Sequence, residues 1–188
     1  DATVRAGAAL IPAAALQAWS SAEALGCPPD VARRVVRSLL EAAGGGGMVG
    51  GQWVDLEGEG RALGGEELEG LHRRKTGALL VASLVMGATA AEAEAPTLEA
   101  LERYGRSIGL AFQIADDILD ATQGADTLGK NPSDAALAKS TYVALYGLDE
   151  ARRRARAQVD VALEALERSG LRAPALEALA RYMVERRH

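Results

Sequence analysis

Cysteine, aromatic side chains and lysine are all scarce in this sequence. The single cysteine, Cys27, cannot form a disulfide within the chain, which favours a reducing, cytoplasmic compartment. Aromatic residues make up only 4% of the 188 residues, so the 48% that are hydrophobic are mostly alanine, leucine and valine. That composition favours close-packed helices over a β-sandwich. The formal net charge of −5 argues against a general binder of nucleic acid.

A hydrophobic run long enough to cross a membrane is also missing. The longest apolar stretch, 76–91, is rich in alanine and is bounded by Lys75 and Glu92. It falls short of the roughly 20 strongly apolar residues that a membrane span needs. No secretory signal pattern begins the sequence. We therefore expect a cytoplasmic protein without stable membrane insertion.

Helical periodicity covers most of the chain, and strand-type alternation is absent. The sequence predicts one all-α domain over residues 1–188. One stretch leaves two structures open. The glycines at 44–47 and 50–51 each disfavour a helix by about 1 kcal/mol, which predicts a loop, or they let a helix approach a neighbour or a ligand closely. Helices are predicted at 2–24, from 31 onward, at 66–91, 97–122, 134–145 and 148–169, and from 174 to the end.

The few lysines contrast with eighteen arginines. Only Lys75, Lys130 and Lys139 carry an ammonium group. Lysine offers a compact point charge on a flexible stem, which suits a phosphate oxygen, whereas arginine offers a wide planar fork. Composition alone leaves open whether the three lysines share a ligand or belong to a solvated surface by chance.

Three aspartates project from a helix that is otherwise apolar. Because successive helical residues are about 100° apart, four polar side chains fall on one face: Gln113, Asp116, Asp117 and Asp120. Buried carboxylates need compensation, and Mg²⁺ supplies it while taking further oxygen ligands from a phosphate. The spacing matches neither an EF-hand nor a zinc site. The alternative is an exposed acidic stripe.

Two further groups of polar residues, a triplet and a pair, have helical spacing. His72, Lys75 and Thr76 stand at i, i+3 and i+4, where a lysine and a hydroxyl can bind an anionic ligand. Gln52 and Asp55 lie one turn apart, beside the glycines. Each group on its own is more typical of an ordinary solvated surface.

The loop after the acidic helix adds two basic residues. Lys130 lies in a stretch of glycine, asparagine and proline, and Lys139 follows in a helix that Asp134 is predicted to cap. A basic loop beside a carboxylate helix suits a diphosphate, because metal ions neutralise some of its oxygens and lysines neutralise others. One diphosphate ligand would then account for all three lysines.

In this order the motifs resemble those of the trans-isoprenyl diphosphate synthases, the family of farnesyl and geranylgeranyl diphosphate synthases. The matching residues are Gly51-Gln52-Trp53-Val54-Asp55, His72-x-x-Lys75-Thr76, Phe112-Gln113 with Asp116-Asp117-x-x-Asp120, Leu128-Gly129-Lys130, and Asp134 with Lys139, Thr141 and Tyr142. The resemblance covers nearly the whole chain and is to the C-terminal part of these enzymes. It implies an all-α helical bundle of the isoprenoid synthase type with a deep central cavity, whose N-terminal helices are missing from this chain. It also implies a homodimer.

The resemblance further implies a reaction and roles for the site residues. Mg²⁺ would help an allylic diphosphate to ionise, and isopentenyl diphosphate would attack the allylic cation to give a C15 or C20 prenyl diphosphate. The implied metal site consists of Asp116, Asp117 and Asp120, with Asp116 and Asp120 as ligands and with Asp117 and Asp134 in close support. Lys75, Lys130 and Lys139 would hold the allylic diphosphate. Lys75 would also be catalytic, together with Thr76 and Gln113, which would stabilise the cation, and Gln52 would line the cavity near the growing chain.

The family also uses a first aspartate-rich motif and upstream basic residues for isopentenyl diphosphate, and this sequence holds neither. We expect these parts to precede the sequence in a longer enzyme. Two alternatives stay open: a non-catalytic subunit whose partner supplies the first motif, and a helical interaction module with a decayed site. A terpene cyclase is disfavoured, because the usual asparagine-containing metal triad is not found. The product length and the preferred allylic substrate cannot be read from these residues.

Overall fold

The computed structural model describes the backbone of residues 2–58, 60–128 and 140–186, and the side chains within 6–58, 60–122 and 140–186. These ranges contain helices and turns and no strand, so the predicted all-α class is confirmed. None of the helices they contain is long and apolar enough to cross a membrane. The helical elements are α1 (Ala2–Ala24), α2 (Pro29–Ala43), α3 (Met48–Glu57), α4 (Gly65–His72), a π-turn (Arg73–Gly77), α5 (Ala78–Ala90), α6 (Ala95–Leu128), α7 (Tyr142–Tyr146), α8 (Leu148–Ser169) and α9 (Pro174–Glu185).

Helix α6 lies at the centre of the fold and contacts α5, the π-turn, α8 and α9. Its buried residues Leu101, Tyr104 and Ile108 recur every three or four positions and so form one stripe along the helix. They pack with Leu166 of α8 in a first core cluster. Burying such side chains stabilises a helix that propensity alone would not hold.

A second core cluster lies further along α6. It joins Leu68 and Leu71 of α4 to Ile114 of α6 and Tyr142 of α7. This apolar contact holds α4 and α7 against α6. The polar face of α6, which carries the aspartates, lies beside it. The second cluster positions the candidate site.

Tyr104 links α6 to α9 through a buried hydroxyl. The side chain is only 1% exposed, and its hydroxyl donates a hydrogen bond of 2.7 Å to the carbonyl of Leu176. Burial raises the pKa of Tyr104 to about 12. We expect Tyr104→Phe to lower the free energy of unfolding by about 1 kcal/mol, because the hydrogen bond from the buried hydroxyl to the Leu176 carbonyl is lost. Urea denaturation measures this, with the exposed Tyr182→Phe as a control; equal midpoints for Tyr104→Phe and wild type would contradict it.

The two glycine groups of this stretch follow different alternatives, the first a loop and the second a helix. Residues 44–47 form turns, but Gly50 and Gly51 lie inside α3, and Gly51 is buried. A Cβ on Gly51 would lie 2.4 Å from the backbone nitrogen of Lys75. Only glycine lets α3 come this close to the π-turn, which outweighs its unfavourable helix propensity.

The predicted end of one helix is wrong, and another predicted helix is interrupted. Helix α6 continues past 122 to Leu128, because one interior glycine costs only about 1 kcal/mol and does not end a well-packed helix. Within the helix predicted at 134–145, residues 134–139 lie outside the described ranges, Ser140 and Thr141 are not helical, and α7 begins at Tyr142. Ser140 and Thr141 are non-helical because their hydroxyls accept backbone hydrogen bonds, from Leu63 N–H at 2.7 Å and from Ala144 N–H at 3.1 Å.

Candidate active site

A cavity of about 660 Å³ opens between α3, α4, the π-turn and α6. Apolar side chains of the second core cluster line one part of it, and polar side chains line the rest. Six predicted site residues are brought together on its wall: Lys75, Thr76, Gln113, Asp116, Asp117 and Asp120. The helical faces inferred from the sequence therefore converge on one space.

The π-turn places Lys75 and Thr76 on this wall. It interrupts the run from α4 to α5 over Arg73–Gly77, and such widened turns occur often at functional sites. Two glycines let neighbouring helices approach it. A Cβ on Gly51 of α3 would clash with the backbone of Lys75, and a Cβ on Gly109 of α6 would lie 3.0 Å from the Cα of Gly77. The turn is thus held between α3 and α6.

Lys75 is paired with a carboxylate that the sequence did not assign to the site. Its Nζ donates to Oδ2 of Asp55 at 2.6 Å, and the two side chains are 30% and 20% exposed. Asp55 also lines the cavity. An ammonium group has three donors, so this bond holds the lysine in position while other donors remain. The sequence signals for Asp55 were its spacing from Gln52, which equally described a surface, and its place in the motif Gly51-Gln52-Trp53-Val54-Asp55, for which no role was assigned.

Gln52 has a different environment from Asp55. Its side chain is exposed, and it is not among the residues that line this cavity. Residues 52 and 55 share a helical face only approximately, and α3 turns the more C-terminal of the two toward the π-turn. The predicted contact of Gln52 with a growing chain stays a prediction.

Asp116 forms an ion pair with Arg186, which directly follows α9. The guanidinium also lies 4.4 Å from the centre of the Phe112 ring and donates to the Phe112 carbonyl at 3.4 Å. Gln113 donates from its amide nitrogen to Asp116 at 3.4 Å, and its amide oxygen is not used in that bond. Arg186 carried no sequence signal, since it is one of eighteen arginines and lies 70 residues from its partner.

The Asp117 carboxylate contacts other residues of the protein. Its Oδ2 accepts the backbone N–H of Tyr142 at 2.7 Å and lies 4.0 Å from Nε2 of His72. His72 and Tyr142 are buried and stacked, with ring centres 5.9 Å apart. Burial, with a smaller contribution from Glu69, raises the pKa of Tyr142 well above its usual value, so its hydroxyl stays neutral. Asp120, by contrast, is exposed at the cavity wall.

The carboxylates of this wall have the donor chemistry that suits Mg²⁺, since hard cations prefer oxygen ligands. Within the described side chains, no group of three or more histidine, cysteine, aspartate or glutamate residues is placed to hold a metal. Asp116 and Asp120 on the cavity wall can each offer a carboxylate oxygen, and water and phosphate oxygens would complete the shell of a bound Mg²⁺. Lys130, Lys139 and Asp134 lie outside the described ranges, and their predicted roles stay predictions.

Comparison with known proteins identifies the family of this chain. A family model described as polyprenyl synthetase matches residues 3–179. The chain belongs to the polyprenyl synthetase family. The resemblance inferred from the motifs is thereby confirmed, and so is the all-α fold of the isoprenyl diphosphate synthases.

Individual members of the polyprenyl synthetase family support the assignment. The chain is 44% identical over 167 residues to the farnesyl diphosphate synthase of Escherichia coli, covering 84% of this chain and 56% of that protein. An FPP/GFPP synthase from Zymomonas mobilis superposes with a TM-score of 0.70 at 36% identity, over 83% of this chain and 51% of the other. A geranyltransferase from Helicobacter pylori, complexed with magnesium and isoprenyl diphosphate, gives 0.68 at 30% identity, over 88% and 56%. The chain thus spans about half the length of these relatives.

Proposed function

We propose that this chain is the C-terminal part of a Mg²⁺-dependent prenyltransferase. The enzyme condenses an allylic diphosphate with isopentenyl diphosphate to give a C15 or C20 prenyl diphosphate. The observation that supports this most strongly is the convergence of Lys75, Thr76, Gln113 and the aspartates on one cavity in a member of the polyprenyl synthetase family. The names of the relatives, which are farnesyl diphosphate synthase and geranyltransferase, support the same chemistry.

The residues of the cavity wall have different roles because their side-chain chemistry differs. Bound Mg²⁺ would stabilise the negative charge of the departing diphosphate. Lys75, steadied by Asp55, binds a diphosphate oxygen with its remaining N–H donors. The Thr76 hydroxyl and the Gln113 amide oxygen face the positive charge that develops when the allylic bond breaks. No side chain needs to act as a nucleophile, because positioning and electrostatic stabilisation carry the reaction.

The apolar part of the cavity protects the cation. Leu63, Leu68 and Leu71 line it and are at most 6% exposed. They offer no atom that could trap a carbocation, and they keep water away from the allylic carbon. A prenyl chain lying against these leucines with its diphosphate near Lys75 accounts for both halves of the wall.

Calorimetry tests the proposal directly. Geranyl diphosphate titrated into the protein is expected to bind in Mg²⁺ and to lose at least tenfold in affinity in EDTA, since the metal neutralises the diphosphate. Binding with product formation supports the synthase. Binding without turnover, together with co-purification of a larger homologue, would indicate a non-catalytic subunit. No binding under either condition would leave the helical interaction module.

The ion pair between Arg186 and Asp116 leads to a separate prediction. The guanidinium already occupies the carboxylate that a cation would use. We expect Arg186→Ala to lower the Mg²⁺ concentration for half-maximal geranyl diphosphate binding by about threefold to tenfold, because one competing cation is removed. Arg181→Ala, which changes a well-exposed arginine of α9, is the control. A higher Mg²⁺ requirement in Arg186→Ala would contradict competition and show that the arginine assists the ligand instead.

We further propose that the protein is a cytoplasmic homodimer. The dimer is supported by large apolar side chains that are well exposed on α1 and α3: Leu10 is 67%, Leu16 is 71% and Trp53 is 64% exposed. Exposed apolar area of this kind is typical of an interaction surface. The location is supported by the charged diphosphate substrates and by Cys27, which is a free thiol. Sedimentation equilibrium measures the oligomeric state.

A further inference from the structure

A second cavity, of about 300 Å³, lies between α6, α8 and the end of α9. It shares no described lining residue with the cavity of the candidate active site. On α6 the second cavity is lined by Ala115, Ile118, Leu119 and Thr122. The active-site cavity is lined on the same helix by Gln113, Asp116, Asp117 and Asp120. The two sets differ by a shift of two residues, which is a rotation of about 200°, so the two cavities lie on opposite sides of α6.

The lining of the second cavity is positively charged. It contains three arginines, Arg152 and Arg156 of α8 and Arg186 after α9, against the single carboxylate of Glu185. The chain as a whole carries a net charge of −5, so this concentration of positive charge runs against its average. A guanidinium group presents a planar fork of N–H donors that matches the oxygens of a phosphate. The chemistry of the lining therefore suits a phosphate oxyanion.

The two arginines of α8 lack the acidic partners that a neighbouring arginine has. Arg152 and Arg156 stand one helical turn apart, where like charges repel and disfavour the helix. The Nη1 of Arg152 lies 3.7 Å from Oδ1 of the fully exposed Asp149, and Arg156 has no ion pair among the described residues. Arg154, in contrast, donates to Glu150 at 2.8 Å. The positive charge at the second cavity is therefore left largely uncompensated.

Arg186 brings an unused donor to the same cavity. Its side chain is 15% exposed, and its Nη2 donates to the Asp116 carboxylate and to the Phe112 carbonyl. Its Nε is buried and has no hydrogen-bond partner among the described residues. A buried donor without an acceptor is unfavourable, and nearly all such groups in proteins are satisfied by protein, water or a ligand. An oxyanion in the second cavity can supply the acceptor.

We propose that the second cavity binds a phosphate or diphosphate anion, held by Arg152, Arg156 and Arg186. The site is separate from the one assigned to the allylic diphosphate, and its existence does not rest on the proposed function. Arg186 connects the two sites, because it lines the second cavity and pairs with Asp116. A bound anion therefore competes with Asp116 for the guanidinium. Where Asp116 binds Mg²⁺, which does rest on the proposed function, the anion and the cation then favour each other's binding.

Calorimetry with inorganic diphosphate in EDTA tests the second site, because aspartates without metal repel an anion from the active-site cavity. We expect the protein to bind diphosphate, and the double variant Arg152→Ala/Arg156→Ala to bind it at least tenfold more weakly, since two cationic donors are lost. Arg153→Ala is the matched control. It removes an exposed arginine of α8 that does not line the cavity, and its affinity should stay within about twofold of wild type.

Lys75→Ala shows which cavity holds the anion. It removes a cation of the active-site cavity, and diphosphate affinity in EDTA should again stay within about twofold of wild type. No binding by wild type would overturn the proposal, and so would a loss in Lys75→Ala without a loss in the double variant. If geranyl diphosphate fails to bind in Mg²⁺, the proposed function fails while this titration still decides the second site.

Nuclear magnetic resonance locates the anion without any variant. Diphosphate should shift the side-chain Nε–H signal of Arg186 and the backbone amide signals of Ala155 and Val184, and leave those of Leu71 and Thr76 in place. Shifts confined to Leu71 and Thr76 would place the anion in the active-site cavity and overturn the proposal.

Urea denaturation separates a binding role of the two arginines from a structural one. The double variant should unfold at a urea concentration no lower than that of wild type, because alanine favours a helix and the repulsion between two like charges is removed. A lower midpoint, together with unchanged diphosphate affinity, would show that Arg152 and Arg156 stabilise the fold and do not serve a ligand.

Discussion

Replacement of Asp116 by alanine is expected to reduce prenyl transfer at least hundredfold in the prenyltransferase that we propose. Asp116 lines the cavity and holds a cationic group already, in the form of the Arg186 guanidinium. Without this carboxylate, the Mg²⁺ that we propose to stabilise the departing diphosphate would lose a ligand, and a lost electrostatic contact of this kind costs about 10²- to 10³-fold in rate. Steady-state kinetics with geranyl and isopentenyl diphosphates measures the effect.

The control for Asp116 is a carboxylate on a helix that does not line the cavity. Asp160 is exposed on α8, and Asp160→Ala is expected to retain wild-type kinetics within about twofold, as surface substitutions usually do. Circular dichroism establishes that both variants keep the helical fold. Activity of Asp116→Ala within tenfold of wild type would contradict the assignment of this aspartate to the catalytic metal site.

Replacement of Gly51 by alanine is expected to lower the free energy of unfolding by about 2–3 kcal/mol. The new Cβ would lie 2.4 Å from the nitrogen and 2.7 Å from the Cα of Lys75, and backbone atoms cannot turn aside as a flexible side chain can. Helix α3 must therefore move away from the π-turn. That movement also stretches the 2.6 Å contact between Asp55 and Lys75, so diphosphate affinity should fall together with stability.

Gly87 is the matched control for Gly51. It is an exposed glycine inside α5, and a Cβ there would meet nothing within 4 Å. Gly87→Ala is expected to be neutral or to stabilise the protein by up to about 1 kcal/mol, since alanine favours a helix over glycine. Urea denaturation compares the two variants with wild type. A midpoint for Gly51→Ala equal to that of Gly87→Ala would show that the two helices do not pack as closely as described.

The parts of the site that the sequence predicted are those with local periodicity. Gln113 and the three aspartates recur along one face of α6, and Lys75 and Thr76 lie near His72 along the chain, so spacing alone brought each group together. Convergence of the two groups on one cavity followed from the resemblance of the motifs to a family. It did not follow from composition, which left an exposed surface equally open.

The parts that the sequence could not predict depend on contacts between distant residues. Arg186 reaches Asp116 across 70 residues, and Asp117 reaches Tyr142 across 25. The helix at Gly51 forms because a neighbour lies against it, which overrides a propensity that favours a loop. Tertiary packing decided each of these features, and packing partners leave no periodic trace in a single sequence.

The π-turn changes the direction in which side chains face along the continuous helical segment from Gly65 to Ala90. Each α-helical residue rotates the chain by about 100°, so one extra residue in a widened turn shifts every following face by that amount. Leu68 and Leu71, before the turn, belong to the second core cluster, whereas Ala88, after it, belongs to the first. The segment made of α4, the π-turn and α5 therefore contributes residues to both core clusters, which a regular helix would not face at once. Insertions or deletions between His72 and Ala78 would rotate one half out of register, whereas length changes between α3 and α4 leave the phase intact.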